Sequence, residues 1–412
     1  HDMSYKQDDR LCYNARDMAI LKAKMSAAVV ITGSATPAVH TYFNARTQKY
    51  RHLEMPQRVD DKPMPVVEIV DMKLQQEQSG KVPILSDILV EGIKATLDKK
   101  EQILLFLNKR GFDTFLVCAD CGYHLGCPNC SVSLKHHAAE GLVKCHYCDY
   151  TIKSMPICPS CKNSRILSYG TGTQKLEKEV QKLFPEARIQ RMDSDTTTRK
   201  GSQEKILHAL EKREIDILIG TQMITKGHDF PFITLVGVIS ADTSLNMPDF
   251  RAAEKTFQLI TQVAGRGGRG DTPGKVIIQT FNPQHYALKH AQNHDYKAFY
   301  EEEIAFRKAL QYPPFGRIIN LRLSSIKKDT LMEEAHGLGK FAKKLAATQD
   351  HAVEIIGPAE SPLAKIRGRF RWQMLIKGKD INALHQIARE IINRNKNSQI
   401  RITADVDPEN FM

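Results

Sequence analysis

The stretch IDILIGTQMITKGHDFPFITLVGVI, residues 215–239, decides the fold class of this 412-residue chain. It begins and ends with short apolar runs, 215–219 and 234–239, which predict two strands joined by a polar loop. Outward from it, strands are predicted at 102–107, 187–190 and 275–281, and helices at 86–97, 174–184, 201–210 and 252–264. Short apolar strands that alternate with helices predict an α/β fold, with a parallel sheet covered by helices on both faces.

The two ends of the chain carry different patterns. At the beginning, a predicted helix at 14–25 leads into a predicted buried strand at 28–32, and a connecting segment rich in proline and polar residues follows from 55 to 80. Beyond residue 282, helices predicted at 283–310 and 330–346 and strands predicted at 318–324 and 373–377 indicate a separate α+β domain.

Composition narrows the class of protein. Hydrophobic residues make up 42% of the chain and charged residues 26%, which suits a globular protein with buried cores. The longest apolar runs are too short to cross a bilayer and no secretory signal is visible, so we expect a soluble, cytoplasmic protein without a membrane partner. The net charge of +12 favours a polyanionic partner, for which nucleic acid is the default.

Eight of the nine cysteines fall between Cys118 and Cys161, in four Cys-x-x-Cys units. One such unit brings two thiolates to the same side of a metal, so two units complete a tetrahedral zinc shell. Eight cysteines therefore predict two structural zinc sites of four thiolates each. Redox pairs, a disulfide framework and an iron–sulfur cluster are the alternatives, and they fit the spacing or an intracellular compartment less well.

Spacing alone leaves the pairing of the four units open. Fourteen residues separate Cys130 from Cys145, close to the length of zinc-ribbon loops, whereas five separate Cys121 from Cys127. We favour a nested pairing, in which the inner site is formed by Cys127, Cys130, Cys145 and Cys148 and the outer site by Cys118, Cys121, Cys158 and Cys161. The nearby histidines are expected to be bystanders; they are His124, His136, His137 and His146.

Three short segments each follow a predicted strand or end a helix: Gly33–Pro37, Gly220–Phe230 and Gln262–Gly270. The third places Gln262, Arg266 and Arg269 near one another at a glycine-rich helix end. Arginines held in this way suit a transferring phosphoryl group, whose charge needs a partner that is always ionised. A solvated basic turn is the alternative.

In this order the three segments resemble those of superfamily 2 helicases. The resemblance narrows to the primosomal, PriA-type helicases, because Phe106–Phe112 runs straight into paired cysteines and because Gly170–Thr173 and Arg191–Thr197 follow. His1–Gln7 is similar to the family's stretch after an acidic Asp-Glu-Glu-His box, of which His1 would be the last residue. The likeness covers essentially the whole chain.

The resemblance implies a fold of two RecA-like lobes with a double-zinc module inserted in the second. Residues 1–55 would be the remainder of lobe 1, 56–80 the connector, 81–282 lobe 2, 117–163 the inserted module and 283–412 the C-terminal domain. It also implies site roles: Gln262, Arg266 and Arg269 would be catalytic, Gly227, Asp229 and Gly265 would contact nucleotide, and Ser34, Ala35 and Thr36 would couple the lobes.

The implied activity is 3′→5′ DNA unwinding driven by ATP and Mg²⁺, at stalled or branched replication forks, leading to primosome assembly and restart. The implied partners are branched and single-stranded DNA, single-stranded-DNA-binding protein and other primosome proteins, at the nucleoid. The phosphate-cradling Gly-x-x-x-x-Gly-Lys-Ser/Thr loop and the magnesium carboxylates are absent from this sequence. We therefore expect a fragment that does not hydrolyse ATP alone. Gln174 also departs from the family's usual Glu.

Two further groups of residues are candidates for binding DNA or a partner. Tyr5 and Tyr13 fall where the family carries an aromatic-rich loop, and their rings could stack on unpaired bases or pack on lobe 1. Residues 365–373 predict a strand that places Lys365, Arg367, Arg369, Arg371 and Gln373 on one face. The resemblance implies that this face meets DNA or the acidic tail of single-stranded-DNA-binding protein, and a solvated strand is the alternative.

A rival function belongs to another class: a non-enzymatic zinc-ribbon protein that binds DNA or assembles other proteins. A phosphate loop encoded in frame before His1 would decide for the helicase.

Overall fold

The structure is a computed structural model. It describes the chain except residues 8–11, 57–62, 80–82, 109–114, 119, 122, 124, 131–132, 138–140, 154–156, 165, 170–171, 194–195, 198–200, 222–223, 225–229, 231, 269–273, 349–351 and 412, and it describes 76–79, 115, 117 and 167–169 by their backbone alone. Among the helices of this described part, none is long and apolar enough to span a membrane.

Helices are found along the whole described chain. In chain order they are α1 (Ala15–Met25), α2 (Val39–Arg46), α3 (Met72–Ser79), α4 (Asp87–Asp98), α5 (Thr173–Leu183), α6 (Ser202–Glu211), α7 (Asp242–Leu245), α8 (Ala252–Ala264), α9 (Tyr286–Gln292), α10 (Tyr296–Ala309), α11 (Lys328–Ala347) and α12 (Ile381–Arg394). Side-chain caps fix several starts: Ser86 accepts a hydrogen bond from the backbone N–H of Leu89 (3.2 Å) at α4.

In the part of the chain that the structure describes, the strands form one parallel sheet and four antiparallel ones. In chain order they are β1 (Lys6–Gln7), β2 (Tyr13–Asn14), β3 (Val66–Asp71), β4 (Gln102–Phe106), β5 (Phe115–Cys118), β6 (Lys135–His137), β7 (Leu142–Lys144), β8 (Thr151–Lys153), β9 (Ile166–Tyr169), β10 (Ile189–Met192), β11 (Ile217–Gly220), β12 (Ile233–Val238), β13 (Lys275–Thr280), β14 (Arg317–Ser325), β15 (Val353–Ile366), β16 (Arg369–Gly378) and β17 (Arg401–Val406).

The six-stranded sheet has the order β10-β11-β4-β12-β13-β3, and all its neighbours are parallel. Side chains of the central strand β4 alternate between two buried cores: Leu104 and Phe106 face one, Ile103 and Leu105 the other. Helices α8, α9 and α10 contribute to the first core, and α4 and α5 to the second. The predicted α/β architecture is confirmed, and α8 has the predicted bounds at both ends.

Residues 28–32 do not form the predicted buried strand. Val29 and Ile31 are 87% and 88% exposed, and the segment carries no strand assignment. A parallel strand needs neighbours to pair its backbone N–H and C=O groups, and no described strand pairs with this segment. Its apolar composition alone was therefore a poor guide.

The segment predicted as a connector contains a strand. β3 pairs in parallel with β13, from Val66 opposite Lys275 to Asp71 opposite Thr280, and is the edge strand of the large sheet. Pro63 and Pro65 stand directly before it, a position that an edge strand tolerates. Because of these prolines, the segment was predicted to be a connector, although an apolar run follows them.

A four-stranded antiparallel sheet, β15-β16-β14-β17, forms the C-terminal domain, and α11 and α12 pack on one of its faces. β15 and β16 are joined by a two-residue turn, Arg367-Gly368, in which both residues have positive φ (48° and 78°). Such a turn is typical of tight hairpins, and Gly adopts this conformation without strain. The single strand predicted across 365–373 is therefore wrong.

The helix predicted at 283–310 is in fact two helices, α9 and α10. His294 has a positive φ of 53°, and Asp295 caps α10 by accepting a hydrogen bond from the N–H of Ala298 (2.9 Å). A left-handed residue followed by an Asp cap ends one helix and starts another.

The cysteine-rich insertion leaves the parallel sheet after β4 and returns before α5. Strands β5 and β9 pair as an antiparallel stem, and β6, β7 and β8 form a small antiparallel sheet. The insertion packs on the C-terminal sheet face opposite α11 and α12, where Val143 and Tyr147 share a core with Ile318, Ile356 and Leu375. It thus bridges the two larger sheets.

Candidate functional site

The eight predicted zinc ligands form two clusters in the nested arrangement. In each cluster, the four Sγ atoms lie within 4.8 Å of one another. The outer cluster contains Cys118, Cys121, Cys158 and Cys161, and the inner cluster Cys127, Cys130, Cys145 and Cys148. Individual Sγ–Sγ distances are 3.5 Å between Cys118 and Cys161 and 3.6 Å between Cys127 and Cys148.

These clusters fit zinc. Four sulfurs about 2.3 Å from a tetrahedral zinc would lie about 3.8 Å apart, near the observed separations, and every one of these cysteines is a free thiol. Burial raises the pKa of Cys118 and of Cys127 to about 12, so thiolates there need a cation beside them. A Zn²⁺ ion supplies that charge, and a shell closed by four thiolates makes the ion structural.

Backbone hydrogen bonds close two of the metal-binding turns. The N–H of Cys145 donates to the carbonyl of Tyr150 and that of Cys158 to the carbonyl of Asn163, both at 2.8 Å. Asp149, after the last cysteine of the inner unit, has a φ of 63°. Each turn is therefore closed by backbone hydrogen bonds, which hold two Sγ atoms on the same side.

The inner centre lies at a junction of three parts of the molecule. Tyr312, just after α10, donates its hydroxyl to the carbonyl of Cys130 (3.2 Å). Gln373 of β16 donates to the carbonyl of His146 (2.7 Å), and the hydroxyl of the fully buried Tyr147 accepts from the N–H of Phe250 (3.4 Å). The inner centre thus touches the lobe that carries α8 and the C-terminal sheet at once.

The histidines near the cysteines belong to neither cluster within the described residues. His146 is buried and its Nδ1 lies 2.7 Å from the carbonyl of Glu360. His137 packs beside it, with ring centroids 5.3 Å apart, whereas His124 lies outside the described residues.

A cleft lies along α8, where three segments distant in sequence meet. His1 Nδ1 is 3.0 Å from Ser34 Oγ, and its other ring nitrogen is hydrogen-bonded to Gln262. Ser34 Oγ accepts from the N–H of the buried Thr36 (3.1 Å), whose carbonyl is 3.5 Å from Gln258 Nε2. The predicted coupling residues Ser34, Ala35 and Thr36 therefore lie beside α8, the helix that leads into the segment Gln262–Gly270, which we call the arginine segment.

The arginine segment begins in the last turn of α8, and Arg266, which follows the C-cap residue Gly265, is half-buried. Gly268 has a positive φ of 65°, and a Cβ on Gly274 would lie 2.6 Å from the backbone of Gly267 and Gly268. Glycine at these positions allows a close backbone approach that keeps the turn compact. Arg269, Gly227 and Asp229 lie outside the described residues.

A buried ion network supports α8. Arg307 Nη2 lies 2.6 Å from both Glu254 and Glu303, and all three side chains are at most 5% exposed. Burial opposes ionisation of Glu254, but Arg307, Arg251 and the N–H of Val39 outweigh it and lower the pKa of Glu254 to about 2. Because Val39 starts α2, Glu254 ties α8 to α2 and to α10.

The two predicted stacking tyrosines lie on a small antiparallel pair of strands. Tyr5 precedes β1 and is 54% exposed, and Tyr13 begins β2 and is 47% exposed. Both side chains are thus about half exposed to solvent.

The predicted basic face is not a single face. Lys365 and Arg369 lie on different strands of the hairpin and face opposite sides, because Lys365 pairs with Phe370 and Arg369 with Ile366. Lys365 instead lies over the ring of Phe370, 4.7 Å from its centroid, while Arg369 donates to the carbonyl of Ser324 (3.1 Å).

Arg367 and Gln373 also depart from the predicted face, whereas Arg371 keeps its predicted position relative to Arg369. Arg367 sits in the turn itself, and Arg371 lies on the Arg369 side of β16. Gln373 is 1% exposed and is engaged with His146 and Asn320, so it does not meet an outside carboxylate as predicted.

Sequence reasoning missed the aromatic side chains that hold the junction. Phe250 stacks on Tyr312 with ring centroids 4.4 Å apart, and Phe411 lies 4.8 Å from Tyr147. The only signal was the position of Tyr312 before Pro313-Pro314, which predicted a boundary rather than a contact.

Comparisons with known proteins agree with this geometry. The model of the PriA DNA helicase Cys-rich region domain matches residues 127–153, the helicase conserved C-terminal domain matches 152–271, and the Primosomal protein N C-terminal domain matches 308–409.

Relatives are similar along nearly the whole chain. Replication restart protein PriA of Bacillus subtilis is 42% identical over 416 aligned residues, which cover 100% of this chain and 51% of the relative. Its namesakes in Synechocystis and Chlamydia trachomatis are each 41% identical, covering 92% and 99% of this chain and 46% and 54% of theirs. The chain thus spans about half the length of the curated relatives it matches. It belongs to the PriA family of replication restart proteins, and it corresponds to the C-terminal portion of its members.

Proposed function

We propose that this chain is the part of an ATP-dependent 3′→5′ DNA helicase that holds the second RecA-like lobe, two structural zinc ions and a C-terminal domain. The helicase recognises stalled or branched replication forks and promotes primosome assembly in the bacterial cytoplasm, at the nucleoid. The domain division proposed above is kept, with β3 counted as part of lobe 2.

The meeting of His1, Ser34 and Gln262 supports this proposal most strongly. In a helicase of this type, the segment after the acidic box, the loop that carries Ser34–Thr36 and the arginine segment must communicate across the inter-lobe cleft, although they are far apart in sequence. Here His1 lies between Ser34 and Gln262. Ser34, Ala35 and Thr36 would couple the lobes, and Gly227, Asp229 and Gly265 would contact the nucleotide.

ATP and Mg²⁺ would supply the energy of translocation in a chain that also carries the phosphate loop. There, Gln262, Arg266 and Arg269 would contact the phosphates, and the charge of the arginines would stabilise the transferring phosphoryl group. Replacing Arg266 by Ala should lower DNA-stimulated ATP turnover by about a thousandfold or more, with little change in DNA affinity.

The matched control for this test is Arg213→Ala. Arg213 is an arginine of the same lobe that lies over the ring of Phe232, 3.7 Å from its centroid. It lies near the amino-terminal ends of the parallel strands. Equal turnover by Arg266→Ala and Arg213→Ala would contradict the catalytic role of the arginine segment.

DNA binding is proposed for Tyr5 and Tyr13 and for the exposed tip of the β15–β16 hairpin, Lys365 and Arg367. Arg369 and Arg371 lie behind this tip, where an acidic protein tail, such as that of single-stranded-DNA-binding protein, could reach them. The test measures binding of a fork DNA and of an acidic-tail peptide to wild type, Arg367→Ala and Arg369→Ala. Phosphate contacts weaken with salt by about 0.9 in the log–log slope for each phosphate neutralised.

If fork DNA and peptide bind both variants as tightly as wild type, this hairpin is a solvated surface and neither contact exists. Loss of peptide binding in Arg369→Ala alone would place the partner, and not DNA, on β16.

The alternative is a non-enzymatic zinc-ribbon protein that binds DNA or other primosome proteins. The small β6–β8 sheet beside two zinc clusters favours it, because such modules often act by binding alone. A longer chain that carries the phosphate loop but shows no DNA-stimulated ATP hydrolysis would decide for this alternative.

A further inference from the structure

The segment Asp405–Phe411 joins parts of the molecule that lie at opposite ends of the sequence. It begins in β17 and passes the base of the aromatic hairpin, which we define as Tyr5 with strands β1 and β2. Lys6 Nζ of this hairpin lies 2.5 Å from Asp405 Oδ1, and the two side chains are 4% and 1% exposed. A buried, paired charge of this kind holds its two backbones in one relative position.

A second contact lies at the other strand of the hairpin. Glu409 Oε1 accepts a hydrogen bond from Asn14 Nδ2 (3.0 Å) and lies 3.6 Å from Arg16 Nη2. Each strand of the aromatic hairpin is therefore held by one carboxylate of the segment.

The segment itself is firmly held. Arg322 Nη2 of β14 contacts Asp405 Oδ2 (2.9 Å), and Arg251 next to α8 donates to the carbonyl of Pro408. Phe411 is 1% exposed, with ring centroids 4.8 Å from Tyr147 and 5.9 Å from Phe250. The two carboxylates are therefore fixed with respect to the C-terminal sheet, to α8 and to the inner zinc centre.

The aromatic hairpin has little of its own to hold it. Its strands are two residues long each, and isolated strand pairs of this size are marginal in water. Tyr5 and Tyr13 are about half exposed, and the contacts at Lys6, Asn14 and Arg16 hold the backbone from which their rings project.

We propose that Asp405 and Glu409 are positioning residues for the aromatic hairpin: they clamp its base so that Tyr5 and Tyr13 present their rings to single-stranded DNA. The clamp itself follows from the ion pairs. Its effect on DNA rests on the proposed function.

Asp405→Asn tests the clamp directly. Trypsin cleaves after Lys6 only when that side chain leaves its partner, and breaking one half of a buried ion pair should raise the open population about a hundredfold. Cleavage after Lys6 should accelerate by about that factor, and amide hydrogen exchange in residues 1–14 should accelerate in parallel. The matched control is Glu354→Gln, which removes an ion pair with Lys377 (3.0 Å) on the same sheet and should leave both rates unchanged.

Lys6→Met and Glu409→Gln keep the test valid if Asp405→Asn weakens β17. In Lys6→Met, Asp405 keeps Arg322, so the C-terminal sheet stays intact while exchange in residues 1–14 accelerates. Both variants should bind a fluorescent oligo-dT strand roughly five- to tenfold more weakly, because a misplaced ring loses its stacking. Melting temperature and zinc content should stay at wild-type values.

The outcomes separate the two proposals. Unchanged exchange in all three clamp variants, together with unchanged cleavage after Lys6 in Asp405→Asn and Glu409→Gln, would overturn the clamp, whatever happens to DNA. Faster exchange with unchanged oligo-dT affinity would overturn the positioning role while leaving the contact. A wild-type chain that does not bind oligo-dT, with an intact clamp, would count against the proposed function instead.

Discussion

The inner and outer zinc centres each consist of four cysteine thiolates, yet they lie in different surroundings. The inner centre is packed against Tyr312, Gln373 and Phe250, which come from three different parts of the chain. The outer centre closes the β5–β9 stem, where Cys118 pairs with Ile166. Identical metal chemistry therefore serves two purposes: the inner ion fixes a joint between domains, and the outer ion ties the two ends of an insertion.

The largest difference is expected on loss of a ligand from the inner centre. Cys145→Ser should release one zinc and with it much of the folding free energy of the module, which for structural zinc is on the order of 10 kcal/mol. Val143 and Tyr147 pack on the C-terminal sheet. We therefore expect this sheet to unfold in a separate transition, at a lower temperature than in wild type. Differential scanning calorimetry measures it, and one unchanged transition would argue against a joint.

Loss of the buried ion network should loosen the packing of α8 on α2 and α10 without affecting the zinc ions. In Glu254→Gln, Arg307 keeps only one of its two carboxylates, and we expect a loss of about 3 kcal/mol in the free energy of unfolding. Glu54→Gln is the control, since its partner Lys297 is exposed on the surface. Denaturant titration with zinc analysis decides whether stability falls while both zinc ions remain.

This network also predicts a pH dependence. The pKa of Glu254 is lowered from its ordinary 4.5 to about 2, so its stabilisation is complete above about pH 4.5 and is lost as the pH falls toward 2. Wild type should therefore lose more stability than Glu254→Gln between pH 4.5 and 3, and zinc release, common to both, cancels in the difference. Parallel curves for the two proteins would contradict the charge assignment.

The smallest effect is expected at a single hydrogen bond of the inner centre. Tyr312→Phe leaves the carbonyl of Cys130 without its donor and should cost about 1 kcal/mol of unfolding free energy. Tyr123→Phe, near the outer centre and 38% exposed, should cost nothing measurable. Similar losses in the two variants would remove the distinction between the centres.

The sequence was a good guide wherever the physical rule is local. Cysteine spacing predicted two clusters of four, and apolar periodicity predicted α8 at both ends, because ligand geometry and helical period need no knowledge of the rest of the chain. The same holds for the alternation of strands and helices that indicates a parallel sheet.

It was a poor guide wherever a distant partner decides. Val29 and Ile31 have strand composition without a pairing neighbour, and Gln373 has the parity of a basic face but is buried by the zinc module. Arg367-Gly368 is a local signal for a hairpin turn. The alternation of charged and apolar residues around it led instead to the prediction of a single strand. Apart from that turn, these errors come from tertiary contacts, which cannot be predicted from the type and local pattern of single residues.

The most direct test of the different roles of the two zinc centres compares Cys145→Ser with Cys158→Ser by zinc analysis and amide hydrogen exchange in the same samples. Both variants should retain one zinc of two. In Cys145→Ser, exchange should accelerate in β14 and β16 as well as in the insertion, whereas in Cys158→Ser it should accelerate in β5 and β9 alone. The same exchange map for the two variants, or unchanged protection of β14 and β16 in Cys145→Ser, would contradict the different roles of the two centres.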